Sequence, residues 1–233
     1  MGRRIIALAG EQAHLRVVGA IVREGSPLIG ASVPDSSPAL RFQSAAQPLP
    51  DAQVVIDFSS PRGALEAAKL AVSRGIPLLV GTTGLPEDTL AALRESARKV
   101  GVLVAANTSV GVAVLAHAAR QTARQLGKDY HVSIVEAHHI HKKDAPSGTA
   151  KRLAQAVREG GGQLPDEQIL AVRGGDVVGE HTIRFAGPGE YLELTHRATS
   201  RDLFARGAIH AACWLAQQPP GWYSIDDALG LGA

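Results

Sequence analysis

A single cysteine, Cys213, among 233 residues excludes an intrachain disulfide framework and suits a reducing compartment, so the expected location is cytoplasmic. Its place inside a helical run reads as a buried structural thiol. Aromatic residues make up 4% of the chain, too few for a platform on which bases would stack. Charge of either sign is nearly balanced: 24 Lys and Arg against 22 Asp and Glu leave +2, which makes no electrostatic case for a nucleic-acid partner. No apolar run approaches the length that spans a bilayer, and Ile5 to Gly10 is too short an apolar stretch for a secretory signal before Glu11 ends it. No membrane partner is expected. Internal repeats and low-complexity segments are lacking too. What is present, 45% hydrophobic and 20% charged residues, reads as a soluble globular chain with one substantial core or two modest ones.

The first hundred residues alternate two patterns. Arg16 to Val22, Gln53 to Phe58, Ile76 to Thr82 and Val102 to Asn107 are short apolar runs of the kind found in strands buried on both faces. Helical segments near Gly63 to Arg74 and Pro86 to Val100 lie between the last three, with Gly75 and Gly101 expected to punctuate their ends. Such alternation predicts an α/β fold with a Rossmann-like parallel sheet, whose ligands bind at the carboxyl ends of strands. After Asn107 the pattern changes. A helix over Val112 to Leu126, a strand over His131 to Glu136, and a hairpin of Thr182 to Ala186 with Tyr191 to Thr195 predict a second, α+β domain with an open mixed sheet. Arg201 to Gln217 reads as the last helix, closed by Pro219-Pro220-Gly221.

Between the strand ending near Glu136 and the helix beginning near Ala150 lies the stretch with the most chemistry. His138, His139, His141, Lys142 and Lys143 fall within six residues, then Pro146-Ser147-Gly148-Thr149 turns into a helix with Ala150, Leu153, Ala154 and Val157 on one side. A helix start offers unpaired N–H groups and a positive dipole end, so an anion binds there, with Ser147 as the expected N-cap. Imidazoles and an ammonium beside that anion site are suited to moving a proton near neutral pH. A metal site is the competing reading, because His139 and His141 would share one strand face. It is set aside, since Lys142 and Lys143 would repel a cation and no acidic or thiolate cluster stands near.

Glu136-x-His138-His139-x-x-Lys142-x-Asp144-x-Pro146-Ser147-Gly148-Thr149-Ala150 closely resembles the signature of the 4-hydroxy-tetrahydrodipicolinate reductase family, nicotinamide-dependent enzymes of bacterial lysine and diaminopimelate biosynthesis. The resemblance implies His138 as general acid/base, Lys142 as proton donor, and His139, Gly148 and Thr149 as binders of a dicarboxylate substrate. It implies that Gly81, Thr82, Thr83, Ala105, Ala106, Asn107 and Thr108 line the cofactor. It also implies a discontinuous dinucleotide-binding domain, 1–108 with 202–233, a substrate-binding and tetramerisation domain over 109–201, and a homotetramer. Arg173 to His181 and His196 to Arg201 match the family as well, and also read as loop and hinge.

Two departures stand out. Thr108 occupies a position where the family carries a larger aromatic or thioether side chain, so looser packing is expected there. Met1-Gly2-Arg3 resembles the tail of the family's glycine-rich segment, and the first strand and phosphate-cradling turn are missing ahead of it. Continuation of the protein upstream of Met1 is the expectation, because loss of a central strand would leave two strand edges bare. The alternative is a catalytically silent dicarboxylate-binding paralogue. The run Ala20-Ile21-Val22-Arg23 offers no carboxylate for an adenosine ribose, while Arg23 can pair with a 2′-phosphate. The expected cofactor is therefore NADPH or NADH, tilted toward NADPH.

Overall fold

The structure, a computed structural model, describes residues 1–34, 36 and 40–232. It divides into two compact units, Met1–Thr108 with the segment from Phe204 onward, and Ser109–Leu203.

The first unit opens on α1 (Gly2–Gly10), the helix expected there, which buries Ile5, Leu8 and Ala9 along one side. Of the strand expected over Arg16 to Val22, only β1 (Ala20–Ile21) forms, paired in parallel with β2 (Phe42–Gln43) as a separate two-stranded sheet. β3 (Val55–Asp57) then starts a regular alternation. It is followed by α2 (Pro61–Arg74), β4 (Leu78–Val80), α3 (Glu87–Ser96) and β5 (Gly101–Val104). The local chemistry of α2 explains its limits: the Ser60 hydroxyl accepts from the Gly63 N–H at 3.2 Å, Pro61 fills the first turn, and Gly75 closes the helix at φ 65°. Gly101 behaves otherwise than expected. It does not end α3, which stops at Ser96, but begins β5. A Cβ on Gly101 would lie 3.3 Å from both Leu215 Cδ1 and the Pro219 carbonyl oxygen, so the residue admits close packing rather than a turn.

The second unit begins with α4 (Val110–Leu126), β6 (His131–His138) and α5 (Gly148–Glu159), followed by β7 (Ile169–Arg173), β8 (Gly179–Gly187) and β9 (Glu190–Ala198). Its sheet runs β7-β6-β8-β9, parallel between β6 and β7 and antiparallel elsewhere. Val132 and Ile134 of β6, with Ile183 and Phe185 of β8, meet Leu115, Ala119, Leu153 and Val157 of the two helices in one buried cluster. The period of two along β6 therefore puts Glu136 and His138 on this covered face and Val135 on the other. That other face exposes Val135 (42%), Leu170 (53%) and Val172 (51%).

The chain returns to the first unit through α6 (Asp202–Leu215), β10 (Gly221–Tyr223) and α7 (Ile225–Ala228). β10 pairs in parallel with β5, which completes a four-stranded parallel sheet in the order β10-β5-β4-β3. The fold class is as expected, α/β with a parallel sheet and a second unit built on a mixed one. β2, β7 and β10 were not expected as strands.

Candidate active site

Glu136 is completely buried at the carboxyl end of β6. A carboxylate in such a place needs partners on both oxygens. Arg173 provides two, Nη2 to Oε1 at 2.9 Å and Nη1 to Oε2 at 3.0 Å; the Ser147 N–H donates to Oε1 at 3.1 Å, and His138 Nδ1 closes on Oε2. Burial pushes the Glu136 pKa up, but the hydrogen bonds from Arg173, His138 and Ser147 outweigh it and hold the group below the usual carboxylate range. Arg173 lies opposite His138 in the β6–β7 register. Its guanidinium also donates to the carbonyls of Lys142 at 3.3 Å and Asp144 at 2.7 Å, so one side chain ties down the loop between β6 and α5.

His138 is 8% exposed and meets His181 edge to face, with ring centroids 5.2 Å apart. Its Nε2 has no hydrogen-bond partner among the described residues and faces Gly179, where a Cβ would come to 3.1 Å. His181 shares a hydrogen bond of 3.3 Å between Nε2 and Ser147 Oγ, and its Nδ1 is buried without a partner among the described residues. Burial, followed by the nearby His138, pushes the His181 pKa down to about 4.

A stability prediction follows from that shift. Between about pH 6.5, where an unfolded histidine titrates, and about 4 for folded His181, the unfolded chain takes up a proton that the folded chain refuses. The stabilisation is complete above the upper value and declines as pH falls through the window, by about 3 kcal/mol in all. His139 and His196, both pushed down by burial, add to the same slope. Urea midpoints measured from pH 7 to pH 4 should fall steeply for the wild type and clearly less for His181→Gln, which keeps a polar group for Ser147 without titrating. Equal slopes in the two proteins would contradict the assignment.

Lys142 Nζ pairs with Asp144 Oδ1 at 2.9 Å, and that hydrogen bond holds the Asp144 carboxyl below its usual range. His139 Nε2 accepts from Arg201 Nη2 at 3.1 Å. Burial and the cations Arg201 and Lys142 push its pKa down, so His139 offers an imidazole rather than a positive charge. Ser147 caps α5 as expected, accepting from the Ala150 N–H at 3.1 Å. Gly148 opens the helix with free space where a Cβ would stand, beside half-buried Thr149. Five residues expected at the site, His138, His139, Lys142, Gly148 and Thr149, thus lie on one strand-end to helix-start segment. Among the described residues, no group of three or more His, Cys, Asp or Glu side chains is arranged to hold a metal ion.

Apart from Arg23, the cofactor candidates lie in the first unit at the carboxyl ends of β4 and β5, with the end of β3 beside that of β4. Asp57 is buried there, accepting from Ser59 Oγ at 2.5 Å and Thr82 Oγ1 at 2.6 Å, while Thr82 Oγ1 accepts from the Ser59 N–H at 2.8 Å. The Thr82 hydroxyl is therefore committed inside the protein, whereas Thr83 and Ala106 are exposed, Ala105 is buried and Asn107 half-buried. The Phe58 ring occupies the space beside Gly81, where a Cβ would come to 2.1 Å from it. Thr108 is not loosely packed: it is buried, and its hydroxyl donates to the Phe204 carbonyl at 2.7 Å. Arg23 follows β1 in an exposed turn.

Fold and site together define a two-unit α/β chain in which a parallel sheet accompanies a mixed sheet carrying a carboxylate-oriented histidine beside a helix N-terminus. Residues 1–108 match the family described as dihydrodipicolinate reductase, N-terminus, and residues 111–229 match dihydrodipicolinate reductase, C-terminus. The chain belongs to the dihydrodipicolinate reductase family. The 4-hydroxy-tetrahydrodipicolinate reductase of Anaeromyxobacter dehalogenans strain 2CP-1 is 44% identical over 254 residues, covering 99% of this chain and 94% of that one. The enzyme of the same name from Myxococcus xanthus is 42% identical over 258 residues, with the same coverage. A dipicolinate-bound dihydrodipicolinate reductase from Paenisporosarcina sp. TG-14 has the same fold, with a TM-score of 0.76 at 21% identity over 96% of this chain and 93% of that one.

Proposed function

We propose that this protein reduces 4-hydroxy-tetrahydrodipicolinate, after loss of its hydroxyl as water, to tetrahydrodipicolinate in the diaminopimelate route to lysine. The observation that carries the reading is the buried Glu136–His138 pair set against the start of α5, in a chain 44% identical to a reductase of that name. His138 acts as general acid/base and Lys142 as proton donor. His139 and the first turn of α5, through Gly148 and Thr149, hold the dicarboxylate. Nothing favours the silent-paralogue reading, since the His138 and Lys142 constellation is intact.

The unit Met1–Thr108 with the segment from Phe204 onward takes the dinucleotide, and Ser109–Leu203 takes the substrate and the subunit contacts. The exposed Ala106 and Thr83 support a dinucleotide at the strand ends, the first by its small size and the second by its hydroxyl, while Gly81 is accounted for by the Phe58 ring packed on it. Nicotinamide, when bound, supplies the hydride. Arg23 suits the 2′-phosphate of NADPH, which favours that cofactor over NADH. The open sheet face with Val135, Leu170 and Val172 supports assembly through this sheet into a homotetramer. No helix among the described residues is long and apolar enough to cross a membrane. A cytoplasmic location accords with the nicotinamide chemistry and the single thiol.

Calorimetric titration of NADPH and NADH, each with and without pyridine-2,6-dicarboxylate, tests the reading. Saturable binding that the dicarboxylate tightens, with NADPH ahead of NADH, is the expected result. Dicarboxylate binding with no affinity for either dinucleotide would overturn it in favour of a silent binding protein.

A further inference from the structure

His138 has two ring nitrogens in different surroundings. Nδ1 meets the enclosed carboxylate of Glu136, and Nε2 has no partner among the described residues. An ionised carboxylate only accepts hydrogen bonds, so beside it a neutral imidazole must carry its proton on Nδ1 and its lone pair on Nε2. Were Glu136 protonated, its O–H could donate to Nδ1 and leave the ring proton on Nε2. The bidentate contact from Arg173, with the Ser147 N–H, is what holds a completely buried carboxylate in its ionised form. The same guanidinium grips the carbonyls of Lys142 and Asp144.

Resting on the reductase reading and deepening it, we propose that Glu136 and Arg173 are positioning residues for proton transfer at His138, fixing the tautomer whose Nε2 alone exchanges protons with substrate. In the transfer, the Nε2–H bond of the imidazolium breaks and that proton bonds to the substrate as it accepts the hydride. The ring is left neutral with its Nδ1–H still on Glu136. Nothing on the buried side of the ring has to move, so the reorganisation cost of the step is small. Solvent returns the proton to Nε2 for the next turnover.

Glu136→Gln separates this role from mere packing. Arg173 Nη2 and the Ser147 N–H both donate to Oε1, against the single Arg173 Nη1 bond to Oε2 that the amide would give up, so the amide oxygen takes the Oε1 place. Its NH2 group then faces His138 Nδ1 and donates to it, which drives the ring proton to Nε2. Two-bond 1H–15N spectra of the intact chain labelled with [15N]histidine, assigned by the signal missing from His138→Gln, read the tautomer without substrate or dinucleotide. The wild type should show His138 protonated on Nδ1 at pH 8, and Glu136→Gln should show it protonated on Nε2. In turnover, Glu136→Gln should lower kcat roughly 100-fold while KM moves less than about threefold. A wild-type ring protonated on Nε2, or a tautomer unchanged in Glu136→Gln, overturns the proposal; the wild-type spectrum decides even if the variant does not fold. Failure of the reductase reading would appear elsewhere, as absence of wild-type turnover.

Discussion

His138→Gln is expected to lower kcat roughly 1,000-fold while KM for the dicarboxylate stays within about threefold. The glutamine fills similar volume and can still hydrogen-bond toward Glu136, so the partners of the buried carboxylate on Arg173 and Ser147 remain in place. What it lacks is an imidazole nitrogen that can take and release a proton. In the proposed assignment, substrate affinity rests instead on the first turn of α5 and on His139, neither of which the substitution touches. Steady-state kinetics on the two proteins at one pH check this. A variant with unchanged kcat and a large rise in KM would make His138 a binding residue rather than an acid/base.

The second large effect concerns stability. Arg173→Met should destabilise the protein by about 3–5 kcal/mol, because it removes two of the hydrogen bonds to a completely buried carboxylate and leaves that charge uncompensated. The methionine stem fills much of the space, so little of the loss is packing. Glu136→Gln combined with Arg173→Met should recover a large part of the stability, since the charge that needed compensation is gone. Urea midpoints of the single and double variants measure both. If the double variant were as unstable as the sum of the two single ones, the pair would be independent rather than coupled.

Much of this was legible in the residues because local signals agreed with one another. The period-two pattern of β6, the Ser147 cap and the one-sided apolar pattern of α5 all point to a strand, a loop and a helix start, and the structure has each of them. Elements whose identity depends on a distant partner were not legible. Gly221-Trp222-Tyr223 follows two prolines and looks like a helix stop, yet it is β10, made a strand by the free edge of β5. Ile169 to Val172 is an apolar run with no flanking periodicity, and it becomes β7 through parallel pairing with β6. That pairing places Arg173 beside Glu136, 37 positions earlier in the chain. The roles of Arg173 and His181 were missed for this reason: both belong to cross-strand neighbours, which spacing along the sequence does not reveal. One usable signal existed in Glu136, an acidic residue on the apolar face of a strand, which requires a buried cation or donor somewhere else in the chain.

Thr82 carries a different lesson. The resemblance implies that it lines the cofactor, and its hydroxyl is at the same time bonded to Asp57 and Ser59. A small polar residue at a strand end serves the fold as readily as a ligand.

The most direct measurement is turnover: the purified 233-residue chain supplied with 4-hydroxy-tetrahydrodipicolinate generated in situ, with nicotinamide oxidation followed by absorbance and the product identified by mass. The expected result is substrate-dependent oxidation of NADPH, slower oxidation of NADH, tetrahydrodipicolinate as product, and inhibition by pyridine-2,6-dicarboxylate. Dinucleotide bound but not oxidised in the presence of that substrate would contradict it.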